Sequence, residues 1–154
     1  MLTDPKHWKI MLATDHAGFE LKEKVKAALV QEGYTVEDFG AYAYDRDDDY
    51  PDFILPAAYA VSQSAQARGI IFGGSGQGEA MAANRVRGVR AVVYYDGPEQ
   101  IIRLSRRHND ANVLSLGARF ISFEKAWAMI RIWLREPFDG DRHERRIRKL
   151  DNRS

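Results

Sequence analysis

Apolar runs alternate along this chain with stretches of helical period. Lys9–Thr14 (KIMLAT) reads as a first strand. Phe19–Glu32 carries Leu21, Val25, Ala28 and Leu29 at helical spacing, with Gly33 as a stop. Tyr34–Phe39 reads as a second strand and Ala41–Asp49 as a polar loop. Asp52–Ala67 is predicted helical, opened by Pro51 near its first turn. Gly69–Phe72 is a short buried strand, followed by the run Gly73–Gly78. Glu79–Val86 reads as helix, Val89–Tyr94 as strand, Pro98–Arg107 as helix and Ala111–Leu116 as strand. Ser122–Arg135 is an amphipathic helix containing Trp127, Ile130 and Leu134, and a basic tail helix near Arg142–Leu150 closes the pattern.

This alternation predicts an α/β fold: a three-layer, Rossmann-like α/β/α sandwich around a five-stranded parallel sheet. With no linker, internal repeat or low-complexity segment, residues 1–154 are expected to form a single domain with a C-terminal basic helical tail. Ligands of such sheets bind outside the carboxyl ends of the strands. Attention therefore falls on Asp15-His16, Gly40–Asp49, Gly73–Glu79, Tyr95-Asp96 and Gly117–Arg119.

Composition narrows the chemistry. The 154 residues are 45% hydrophobic and 29% charged, ordinary for a globular protein. A formal net charge of +1 supplies no bulk field for nucleic acid or an anionic membrane, so neither is expected as a partner. The absence of cysteine excludes a disulfide scaffold, a thiolate metal site and a cysteine nucleophile. Met1–Trp8 has no apolar h-region and no run approaches the length of a membrane span, so a cytoplasmic location is expected.

The most informative segment is Gly73-Gly74-Ser75-Gly76-Gln77-Gly78-Glu79, between a strand and a helix. Its glycines let backbone N–H groups approach a ligand, and the helix start favours negative charge. A tight strand-to-helix turn accounts for one or two of these glycines. Glu79 and Ala80 stand where a Walker loop needs Lys then Ser/Thr; Glu79 also breaks the dinucleotide fingerprint, and Gln77 the G-x-S-x-G elbow. What remains is a loop of amide donors beside a carboxylate, suited to a developing oxyanion while a base removes a proton. Glu79 also reads as ordinary favourable charge in a first helical turn.

Other segments carry two readings each. Asp15 is either a helix N-cap or, with His16, an acid/base or anion-binding pair. His108-Asn109 is either a helix C-terminal cap or part of a site. Asp45-Arg46-Asp47-Asp48-Asp49 lacks the glycine and glutamate of an EF-hand and reads as a solvated acidic loop, with Asp49 or Asp52 capping a helix. Arg142 and Arg146 share one face of the tail helix, suited to solvent, to a weak nucleic-acid patch or to bidentate capture of a phosphate monoester.

Taken together, the segments Ala13–Gly18, Asp49-Tyr50-Pro51-Asp52, Gly73–Glu79 with Ala82–Arg85, Arg107–Asn112 and Arg142–Arg146 resemble the ribose-5-phosphate isomerase B family, which also contains galactose- and allose-6-phosphate isomerases. The resemblance implies an aldose–ketose isomerase of the pentose phosphate pathway, converting ribose 5-phosphate to ribulose 5-phosphate through an enediolate, with no metal or organic cofactor. It implies that Asp15 and His108 open the sugar ring and that Glu79 moves the proton between C2 and C1. Ser75 and the amides of Gly74, Gly76 and Gly78 would hold the enediolate oxygens. Asn109 would bind a hydroxyl or the oxyanion, and His16, Arg119, Arg142 and Arg146 the phosphate. Many members carry a cysteine base at the position of Gly73; this chain resembles the subgroup in which glutamate serves instead. Burial, or the Asp15 carboxylate, would then have to raise the Glu79 pKa. A four- or six-carbon sugar phosphate (erythrulose, galactose or allose phosphate) is an alternative substrate, and a non-catalytic phosphate-binding regulator an alternative role.

Topology adds one expectation. Asp15 and Glu79 follow their strands, whereas His108 precedes the last one. A catalytic His108 must then serve a neighbour's site, which predicts a homodimer or dimer of dimers with shared active sites.

Overall fold

The computed structural model describes residues 4–152. Five strands form one sheet: β1 (Lys9–Thr14), β2 (Thr35–Asp38), β3 (Ala67–Gly73), β4 (Ala91–Tyr94) and β5 (Val113–Gly117). Their order is β2-β1-β3-β5-β4, and all four pairings are parallel, as the alternating pattern predicts. Six α-helices accompany them: α1 (Phe19–Gln31), α2 (Pro51–Ser62), α3 (Gln77–Ala83), α4 (Glu99–Arg107), α5 (Phe123–Arg135) and α6 (Arg142–Asp151).

Successive strand residues point to opposite faces, so the central strands feed two cores. Ile10 and Leu12 of β1, with Ile70 and Phe72 of β3, pack against Val25 and Leu29 of α1, Ile102 of α4 and Ile130 and Trp133 of α5. Met11 and Ala13, with Ile71, pack instead against Ile54, Ala57 and Val61 of α2 and Ala83 of α3. The three layers follow directly from this alternation.

Two local expectations are corrected. The helix expected over Asp52–Ala67 ends at Ser62, and Ala67 opens β3. The N–H groups of Gln63 and Ser64 turn back to the carbonyls of Ala60 and Val61, closing the helix with tight last turns. Ala67 can then pair with Lys9 of β1. Nor does Asp49 or Asp52 cap α2: Tyr50 holds the cap position, with no side-chain cap bond, and Asp49 contributes its carbonyl to the Asp52 N–H at 3.2 Å.

Strand order reverses direction at β1: the chain crosses to β2 on one side, then to β3 on the other. The crevice between the carboxyl ends of β1 and β3 is therefore a topological switch point, where open α/β sheets bind ligands.

Candidate active site

Asp15 and His16 leave β1 at that crevice. Asp15 caps the 3-10 turn His16–Gly18, its Oδ1 accepting from the Ala17 N–H at 2.9 Å. Thr14 Oγ1 donates towards both the Asp15 carbonyl (2.8 Å) and the Phe72 carbonyl (3.1 Å), tying the turn to β3. Gly18 permits the close approach: a Cβ there would lie 2.5 Å from Phe72 Cβ.

The glycine loop leaves β3 opposite this turn. Gly76, at φ +80°, caps α3, a conformation that favours glycine. The Gly76 carbonyl accepts from Ser115 Oγ at 2.6 Å, anchoring the loop to β5. One turn later Glu79 returns its carboxyl group to the start of the loop, where a Cβ on Gly73 would meet Glu79 Oε1 at 2.0 Å. Glu79 is only 5% exposed. Burial raises its pKa above the ordinary glutamate value; a backbone hydrogen bond opposes the shift, and the Asp15 charge adds to it. A carboxylate poised in this way is a stronger base than one in water.

Arg119 completes the crevice from β5. Its N–H bonds the Gly74 carbonyl at 3.0 Å, and its Nη1 would lie 3.0 Å from a Cβ on Gly74. The Arg119 charge also reaches His16. Ser75 Oγ faces back to the Gln77 N–H at 3.3 Å. Thus Asp15, His16, Gly74, Ser75, Gly76, Gly78, Glu79 and Arg119 come together at the carboxyl end of the sheet.

The other four predicted residues gather elsewhere. His108 caps the end of α4, before β5. Arg106, buried at the same helix end, donates to Asp110 Oδ1 (2.8 Å) and to the Ala111 carbonyl (2.7 Å), fixing the turn that carries His108 and Asn109. The Asp139 N–H bonds the Arg107 carbonyl at 3.0 Å and leads the chain into α6. There the His143 ring stacks on His108, with centroids 4.3 Å apart and planes 12° apart. Burial lowers the His143 pKa, His108 and then the charges of Arg142 and Arg146 add to the shift, and the Asp139 charge opposes it. The length of β5, roughly 16 Å at 3.3 Å per residue, separates this cluster from the crevice.

Three site residues escaped the sequence reading. Asp48 is not a freely solvated member of its acidic loop: its Oδ1 lies 2.7 Å from His16 Nδ1 and 3.1 Å from the His16 backbone nitrogen. Tyr50 lies over the glycine loop, its Cζ 2.9 Å from where a Cβ on Gly78 would sit. His143 joins the second cluster. Tyr50 and His143 belong to the segments Asp49–Asp52 and Arg142–Arg146, so motif membership was the available signal; Asp48 had none beyond its run of like residues.

A buried carboxylate beside a glycine loop, with a histidine and an arginine at one end, is an arrangement chemically suited to proton transfer on a small anionic substrate. The pattern of the family described as Ribose/Galactose Isomerase matches residues 10–150, and this chain belongs to that family. It is 39% identical over 140 residues to ribose-5-phosphate isomerase B of Mycolicibacterium paratuberculosis, covering 90% of this chain and 87% of that relative. The structure of a Thermotoga maritima ribose 5-phosphate isomerase superposes with a TM-score of 0.88 at 46% identity, covering 94% of this chain and 98% of the other. That of ribose-5-phosphate isomerase B from Mycoplasma genitalium, with bound ribulose-5-phosphate, does so with a TM-score of 0.88 at 38% identity, covering 93% of each chain. No helix among the described residues is long and apolar enough to cross a membrane.

Proposed function

We propose that the protein interconverts ribose 5-phosphate and ribulose 5-phosphate through an enediolate, in the pentose phosphate pathway and in the cytoplasm. The observation that carries the reading is Glu79, a buried carboxyl group with a raised pKa, set against the loop at the switch point of the sheet. In this mechanism Glu79 takes the C2 proton of the open-chain aldose and returns it to C1. The glycine-loop amides and Ser75 hold the oxygens on which negative charge develops. Asp15 and His108 assist ring opening, and Asn109 binds a hydroxyl. His16 and Arg119 bind the phosphate together with Arg142 and Arg146.

His108, Asn109, Arg142 and Arg146 lie at the amino end of β5, so in this reading they serve the crevice of a second subunit. The working form is then a symmetric dimer, or a dimer of dimers, in which each site draws on two chains. The proximity of His108 to α6 supports this, because it lets one surface deliver the histidine and both arginines together.

Deuterium exchange at substrate C2 in heavy water, run on a panel of four-, five- and six-carbon sugar phosphates, tests the proposal. Exchange and turnover should be fastest with ribose 5-phosphate. Preference for a tetrose or hexose phosphate would move the substrate assignment, and binding without exchange on any of them would end the enzymatic reading.

A further inference from the structure

One contact at the crevice is left unused by this mechanism. The Asp48 side chain is 8% exposed, although it belongs to a run of acidic residues in a surface loop. A single oxygen, Oδ1, lies against both the His16 backbone N–H (3.1 Å) and the ring Nδ1 (2.7 Å). An ionised carboxylate can only accept, so Nδ1 is the donor in this contact. The backbone and ring of His16 are thereby held by the same atom. With Nδ1 engaged, Nε2 is the nitrogen left to meet a ligand. The Tyr44 ring packs T-shaped with the imidazole, with centroids 6.0 Å apart and planes 87° apart.

The second oxygen of Asp48 is buried without a hydrogen-bond partner in the structure. An amide in its place would accept the same two hydrogen bonds with less desolvation cost. What the carboxylate adds is its charge. The groups that face His16 are Asp48 from the loop before α2, Asp15 from the end of β1 and Arg119 from the end of β5. Arg119 opposes protonation of the ring, whereas Asp15 and Asp48 favour it, Asp48 most strongly through its hydrogen bond.

We propose that Asp48 is a positioning residue for substrate binding, holding His16 as an imidazolium with Nε2 turned to the phosphate of the sugar. The proposal rests on the reading of His16 as a phosphate ligand given above. It explains why an acidic side chain stands beside a site for an anion: its negative charge is spent on the ring, and the ring presents a cation onward. This relay also fits a dianionic ligand, because phosphate monoesters carry their second charge above about pH 6, where an isolated histidine begins to lose its own.

The test is Asp48→Asn, which keeps size and both acceptor contacts and removes the charge. The chain has four histidines, so proton NMR titration of the ring resonances is tractable, with His16 assigned by its absence in His16→Gln. In the variant, His16 should titrate at a lower pH than in the wild type. The ratio of variant to wild-type KM for ribose 5-phosphate should be near one well below the ordinary histidine value of about 6.5. It should rise to roughly tenfold well above it, where the charge on one hydrogen bond is lost, with the loss falling on KM rather than on kcat. Asp48→Ser, smaller and also neutral, serves if the Asn variant folds poorly. An unchanged His16 titration overturns the proposal. So does a lowered titration with an unchanged KM ratio at all pH values, which would remove His16 from the phosphate while leaving the isomerase reading intact. Failure of the isomerase reading would show differently, as wild-type protein that does not turn over ribose 5-phosphate although His16 still titrates high.

Discussion

The carboxyl group of Glu79 occupies the volume that a side chain at position 73 would need. A Cβ on Gly73 would lie 2.0 Å from Glu79 Cδ and 2.0 Å from Oε1. The two positions therefore compete for one place at the carboxyl end of β3. A chain with a cysteine at position 73 would fill that place from the strand, whereas this one fills it from the following helix.

This competition predicts the outcome of Gly73→Ala. The added methyl group must push the Glu79 carboxyl away from the crevice, and displacement of a catalytic group by about 1 Å can cost on the order of 100-fold. Steady-state kinetics should show that loss in kcat, with KM changed far less. Gly73→Ala with near-normal kcat would mean that the carboxyl works from another position.

Glu79→Gln should lower kcat by about 100- to 10,000-fold while leaving substrate affinity largely intact. In the wild type, the acidic limb of the kcat/KM profile, which reports the free enzyme, should lie above the ordinary glutamate value of about 4.3, since the base works only when ionised and its pKa is raised. The sign for stability runs the other way. The folded state holds this proton more tightly than the unfolded one, so stability falls as pH climbs from the unfolded pKa through the folded pKa. At neutral pH the Gln variant should melt at or above the wild-type temperature, measured by calorimetry.

The tail arginines are distinguished from a solvated basic surface by Arg142→Lys. An ammonium cannot reproduce the guanidinium fork, so KM for ribose 5-phosphate should rise with kcat little altered. An unaltered KM, together with weakened RNA binding, would return α6 to the nucleic-acid reading.

Much of this was legible in the sequence, for identifiable reasons. Alternation of apolar runs with helical periods reports a parallel sheet because both faces of its central strands β1, β3 and β5 are buried, as Ile10 and Met11 illustrate from opposite sides. The position of Glu79 was readable because its loop has few other uses for so many glycines. Strand order was not readable, since it depends on which helices pack on which face. Lys22 shows the limit most clearly. It stands among charged neighbours in α1 and is nevertheless fully buried, donating at 2.8 Å to both Asp38 oxygens and to the Ala41 carbonyl. The partner lies on β2, and residue type alone cannot announce it. Asp48 was misread for the same reason, since its partner His16 is 32 residues away.

Lys22→Met offers a stability test of that buried pair. Removing the ammonium leaves the Asp38 carboxylate, itself largely buried, with only the exposed end of Lys26 and the Gly40 N–H as partners. Breaking such a pair typically costs about 3–5 kcal/mol. Urea unfolding should register a loss of this order, and a loss below about 1 kcal/mol would show that the pair is not what anchors the start of the loop after β2.

The central claim is that each active site takes Glu79 from one chain and His108 from another. Homodimers of Glu79→Gln and of His108→Ala are each expected to be inactive or severely slowed. Dissociated, mixed equally and reassociated at random, half the dimers are hybrids, and each hybrid carries one doubly damaged site and one intact site. Ribose 5-phosphate isomerisation should therefore recover to roughly a quarter of the wild-type rate. If His108 serves its own chain, every site keeps one lesion, and verified hybrids will show no recovery.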